Sequence, residues 1–107
     1  MFDNRTASAE SRAAAGIAFL DQHDPGWRES IRVGDLDIRK EEECALGQRY
    51  GSFAKGQMLY VDVPGFDTAK LGFYSGEYSP DEVHVDHADL TAAWKKLLAP
   101  ARTLVDA

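Results

Sequence analysis

His84 and His87 are spaced i, i+3, with Asp81, Asp86 and Asp89 close by, a spacing that puts two imidazoles on one face of a helix. Zinc or another divalent ion would need one or two further ligands, such as His23, Cys44 or a carboxylate. Nothing in the sequence places those ligands beside the pair. Two histidines in an acidic helix start read first as surface residues, and His87 also fits an apolar stripe through Val83, Leu90, Trp94 and Leu97. Cys44 is the one thiol, and Glu41, Glu42 and Glu43 precede it. Negative neighbours raise a thiol pKa and suppress the thiolate, so Cys44 reads as a small buried hydrophobe. Carboxylates are plentiful, but none sits in an identifiable pocket. The glycines form neither a dinucleotide fingerprint nor a phosphate loop. The expectation is a protein that is not an enzyme, with no cofactor and no metal.

Two other residues invite a structural reading. Gln48, between Gly47 and Tyr50, is suited to hydrogen-bonding the backbone of an irregular neighbouring segment. Gly47 in mid-helix costs about 1 kcal/mol against alanine, so a close packing contact is expected there. Trp27 and Trp94 have amphipathic flanks and read as core.

Charge narrows the partners. The chain carries 12 Lys and Arg against 18 Asp and Glu, a net charge of −6. Residues 1–34, 35–80 and 81–107 are each mildly acidic, so no basic patch hides inside the total. A nucleic-acid binder needs such a patch to neutralise phosphates, and anionic membrane surfaces reject the same charge. Neither nucleic acid nor membrane is expected as a partner. One cysteine excludes an intrachain disulfide, and no signal-peptide pattern opens the sequence, so the expected location is cytoplasmic.

The elements that would position these residues are mostly helical. The 107 residues read as a single mainly α domain, 1–107, with 1–7 and 104–107 frayed. Ser8 caps an alanine-rich helix over 9–23, with Ala13, Ile17 and Leu20 on one face. Asp24-Pro25-Gly26 ends it and starts a short helix, Asp24 as cap, that buries Trp27 and Ile31. Residues 31–38 read as a loop dropping Leu36 and Ile38 into the core, in preference to a minimal hairpin. A helix follows over 41–50, including buried Leu46, and Gly51 stops it. Met58 to Val63 is the best strand candidate and Leu71 to Tyr74 a weaker one, so one short β-hairpin around 58–74 is as probable as an irregular loop. Ser79-Pro80-Asp81-Glu82 forms a capping box ahead of a helix over 86–99, with Leu90, Trp94 and Leu97 buried, and Pro100 ends that helix.

Read in order, Pro25-Gly26-Trp27, Ile31, Leu36-Asp37, Leu46-Gly47-Gln48-x-Tyr50-Gly51, Leu71-Gly72-Phe73 and Leu90-Thr91-x-x-Trp94 form a pattern across most of the chain. It resembles a family of small proteins of actinobacteria and their phages. The resemblance implies a setting, a phage or prophage accessory factor in a bacterial host, and no particular activity. Members of that family often carry Cys-x-x-Cys ending at the position of Cys44. Here Glu41 stands at the first of those positions, so a dithiol or thiolate zinc site cannot be central.

Two function classes remain. The favoured one is a non-catalytic module that binds a host protein through the stretch from Gly51 to Ser79. Residues 50–78 hold seven of the eleven aromatics, punctuated by glycines, and a thin core cannot hide them all. The candidate contact residues are Phe53, Tyr60, Phe66, Tyr74 and Tyr78. The alternative is a small-ligand or metal-binding protein with weak enzymatic activity, resting on the histidines and Cys44.

Overall fold

A computed structural model describes residues 4–74 and 86–98. Tyr78, His84 and the 79–82 capping box lie outside the described residues. Four α-helices carry the described part: α1 (Asn4–His23), α2 (Ala45–Tyr50), α3 (Phe53–Tyr60) and α4 (His87–Leu98). Short 3-10 turns at Trp27–Ser30 and Val33–Asp35 link α1 to α2. The mainly α expectation holds.

Helix α1 packs along α4 because each has an apolar stripe at helical spacing. Ala9, Ala13 and Leu20 from α1 and Leu90, Ala93 and Trp94 from α4 are buried, while Ile17 and Leu97 are half-buried at the margin. Gly16 lies against the Trp94 indole, whose Cζ2 would stand 2.9 Å from an added Cβ. Trp27 meets Trp94 edge-on, with ring centroids 6.2 Å apart. Both indole N–H groups are satisfied: Trp94 donates to the Gly72 carbonyl at 2.7 Å and Trp27 to Asp21 at 2.8 Å.

Several boundaries differ from the sequence reading. Helix α1 already runs from Asn4, so Ser8 lies inside it and is not its cap. Asp24 is not a cap either: the turn at Trp27–Ser30 begins from Gly26 with no side-chain cap, and the Asp24 carboxylate is engaged by Arg49 and Tyr50. The 41–50 helix shortens to α2, which begins at Ala45 with the Cys44 side chain as its cap. The loop reading of 31–38 stands; Leu36 and Ile38 are buried, and the Thr91 hydroxyl on α4 accepts the Ile38 N–H at 2.9 Å.

The hairpin around 58–74 is not formed, and no strand occurs among the described residues. Met58, Leu59 and Tyr60 instead close α3, and the remainder runs through turns to Tyr74. The Ser52 hydroxyl caps α3 by accepting the Lys55 N–H at 3.1 Å. Gly56 then lets α3 lie against Leu46 and Tyr50 of α2. Packing of a short helix pair overrides the β propensity of Tyr60-Val61-Asp62-Val63.

Candidate functional site

The block from Cys44 to Gly51 builds structure. Cys44 is buried, and its Sγ accepts the Gly47 N–H at 3.3 Å, capping α2. Burial pushes the thiol pKa up, which leaves it a poor nucleophile. A Cβ at Gly47 would collide with the Glu41 carbonyl, so only glycine lets the 41–43 turn fold back on α2. Gln48 clamps that turn to the preceding loop: its amide accepts the Arg32 N–H at 2.6 Å and donates to the Glu43 carbonyl at 2.9 Å. Gly51 ends α2 at φ +102°, in the left-handed region that favours glycine.

A polar joint ties α2 and α3 to the end of α1. Arg49 donates two hydrogen bonds to the Asp24 carboxylate, at 2.8 and 2.9 Å, and a third to the Ser30 hydroxyl. The Tyr50 hydroxyl donates to Asp24 at 2.7 Å and accepts from the Tyr60 hydroxyl in a short contact. Hydrogen bonds from Arg49 hold the Asp24 pKa below its usual value. Burial, with the Tyr60 and Asp24 contacts behind it, pushes the Tyr50 phenol up. These bonds clasp α2 and α3 to the segment that follows α1.

The aromatic-rich stretch divides in two. Tyr60 and Phe73 are buried, Phe53 and Phe66 are half-buried, and Tyr74 is 45% exposed. Phe66 lies 5.5 Å from Phe19, 5.8 Å from Tyr60 and 6.1 Å from Phe73 between ring centroids. Phe73 in turn stacks on Trp94 at 5.6 Å. Most of the aromatics therefore close the core, and of the five candidate contact residues Tyr74 alone is exposed among those described.

The exposed apolar surface is elsewhere in the same stretch. Met58, Leu59 and Val61 are 77%, 60% and 62% exposed. With Tyr74 they are the exposed large hydrophobics among the described residues. Sequence reasoning missed them because a strand would have buried alternate residues of this run. In α3, Phe53, Gly56 and Tyr60 face inward at i, i+3 and i+7, which turns Met58 and Leu59 outward. The Ser52 cap and the Gly56 notch were the available signals.

An open groove of about 600 Å3 lies between α1 and the 63–71 loop. Val63, whose N–H bonds the Tyr60 carbonyl at 2.9 Å, is one of its lining residues. Phe19, Val63 and Leu71 line it with Ala15, Ala18 and Gly65. A separate cavity of about 170 Å3 lies between Ile38, Arg39, Glu41, Phe53, Tyr74 and His87. The Tyr74 and His87 rings meet there at 5.2 Å. No set of three or more His, Cys, Asp or Glu side chains is gathered to hold a metal among the described residues. No helix among them is long and apolar enough to cross a membrane. No protein-family model, curated protein or solved structure matches the chain.

Proposed function

We propose that this chain is a non-catalytic accessory protein, phage or prophage encoded as the family resemblance implies, that binds a host protein through the stretch beyond Gly51. The observation that supports this reading is the location of the exposed apolar side chains. Among the described residues, all four exposed large ones fall within 58–74, and the other large hydrophobics are buried or half-buried. Leaving Met58, Leu59 and Val61 in water forgoes burial worth roughly 1.5–3 kcal/mol for each side chain that could be fully covered. A protein interface recovers that energy.

The contact surface on this reading is the outer face of α3 and its closing turn, with Tyr74 as a further member. Tyr60 and Phe66 act behind it as core. Serine at Met58, Leu59 and Val61 together is expected to abolish capture of the host partner while far-UV circular dichroism and the melting temperature stay unchanged. Capture that survives the triple substitution overturns the proposal. The small-ligand alternative has the 170 Å3 cavity at Phe53, Tyr74 and His87 in its favour. Pockets that enclose an organic ligand usually span about 300–1,000 Å3, a range this cavity falls below, and the groove of about 600 Å3 beside α1 is open rather than enclosing.

A further inference from the structure

We infer that the outer face of α3 pairs with the same face of a second copy of this chain. The two helices run antiparallel about a twofold axis that passes between Met58 and Leu59. This goes beyond the host-protein reading, because it concerns what else covers the same face. Lys55, Met58, Leu59 and Asp62 are all exposed and stand at i, i+3, i+4 and i+7, the spacing of one helix face. Val61 keeps helical dihedrals, φ −55° and ψ −32°, and the Val63 N–H bonds the Tyr60 carbonyl at 2.9 Å. The winding of α3 therefore carries on into Asp62. Read along its length, the face is a cation, two apolar side chains and an anion, spread over about 10 Å of helix. A twofold axis at its midpoint sets each Lys55 against Asp62 of the second copy, and each Met58 against Leu59 of the second copy.

The helix dipole favours the same orientation. A helix is stabilised by acid in its first turn and base in its last. Helix α3 has neither: its first turn carries Lys55, and Asp62 lies just past its last. Each charge stands at the wrong end of its own helix and, in an antiparallel pair, at the right end of the other. Neither makes an ion pair among the described residues. The Lys55 ammonium lies back over Gly51, its Nζ 3.7 Å from where a Cβ would stand there, and its flexible stem lets it swing to a second copy. A parallel pair would set Lys55 against Lys55 and Asp62 against Asp62, so charge fixes the orientation. The net charge of −6 on each copy opposes the approach, but salt screens it beyond about 8 Å, whereas the two ion pairs form in contact. Met58, Leu59 and the flanking Val61 offer far less than the roughly 800 Å2 per partner of a stable standard interface. The dimer is accordingly weak, with a dissociation constant on the order of 0.1 mM.

Sedimentation equilibrium of the full chain at roughly 0.01–1 mM tests this with charge-exchanged variants. The unaltered chain is expected to dimerise across that range. Lys55→Asp and Asp62→Lys, each alone, should weaken the dimer by about tenfold or more, the second even though it lowers the net charge of each copy. An equimolar mixture of the two variants should recover the original affinity to within about threefold. Their heterodimer has one ion pair of the original sense and one reversed, whereas each variant paired with itself has only like charges in contact. Melting temperatures of dilute samples should coincide for all three chains, which separates lost pairing from lost folding. A chain that stays monomeric throughout overturns the inference. So does a dimer that Asp62→Lys leaves intact or strengthens, one that the mixture fails to restore, or one that persists with serine at Met58, Leu59 and Val61. No host protein enters the experiment, so its failure leaves the host-protein reading standing, and failure of host capture leaves the dimer untouched.

Discussion

Between α1 and α4 the packing is almost wholly apolar: Leu20, Leu90 and Trp94 are fully buried, with Trp27 and Phe73 against the indole of Trp94. Where α2 and α3 meet the end of α1, the joint is instead a net of hydrogen bonds from Arg49, Tyr50 and Tyr60 around Asp24. The first contact depends chiefly on filled volume, with one ion pair between Lys96 of α4 and Glu10 of α1 at its edge. The second depends on a carboxylate staying charged and a phenol staying neutral. A helix of six residues and one of eight bury too little to hold themselves in place, and directional bonds supply what area cannot. The same economy leaves the outer face of α3 uncovered.

The largest effect should come from the apolar side. Trp94→Ala is expected to cost about 3–5 kcal/mol, a large part of the stability of a small domain, measured by urea denaturation. A loss under about 1 kcal/mol would show that the α1–α4 contact is not the main support. Next comes the notch beneath α2. Gly47→Ala forces the 41–43 turn off the helix and should cost about 1–3 kcal/mol, whereas Gly34→Ala, with open space around its Cβ, should stay within about 0.5 kcal/mol. Equal effects at the two glycines would deny the close contact its role.

The polar joint is probed by pH. Asp24 has a folded pKa below its ordinary 3.8, so its contribution is fully present above that value and is lost as pH falls through the lower, folded pKa. Tyr50 has a folded pKa above its ordinary 10, so its contribution is present below pH 10 and declines as pH rises beyond it. Melting temperatures should therefore fall on both sides of this window. In Asp24→Asn the acid limb attributable to this group should disappear, from a lower starting stability. An unchanged acid limb would show that other carboxylates carry it. The smallest effect is expected at the uncovered face: Met58→Ser should change stability by no more than about 0.5 kcal/mol in thermal unfolding. A larger loss would mean that Met58 is packed, and the contrast between an anchored inner face and a free outer one would fail.

What the residues determine by themselves is considerable at the α1–α4 contact. Long periodic stripes specify a helix whatever lies beside them, so Ala13, Leu20, Leu90 and Trp94 were legible as core. Gly47 and Gln48 were legible as structural because a glycine in mid-helix and an amide beside it each need a backbone neighbour. The stretch from Ser52 to Tyr74 was not. Short runs such as Met58 to Val63 satisfy a strand and a helix almost equally, and local propensities differ between the two by little more than thermal energy. Tertiary contacts decided it: Gly56 against Leu46, Tyr60 against Phe19 and Tyr50. Those contacts also decided which side chains remain outside, since a helix hides Tyr60 and exposes Met58 and Leu59 where a strand would have hidden alternate residues. The identity of the exposed apolar surface is thus a property of packing between segments, which the Ser52 cap and Gly56 hint at but do not decide.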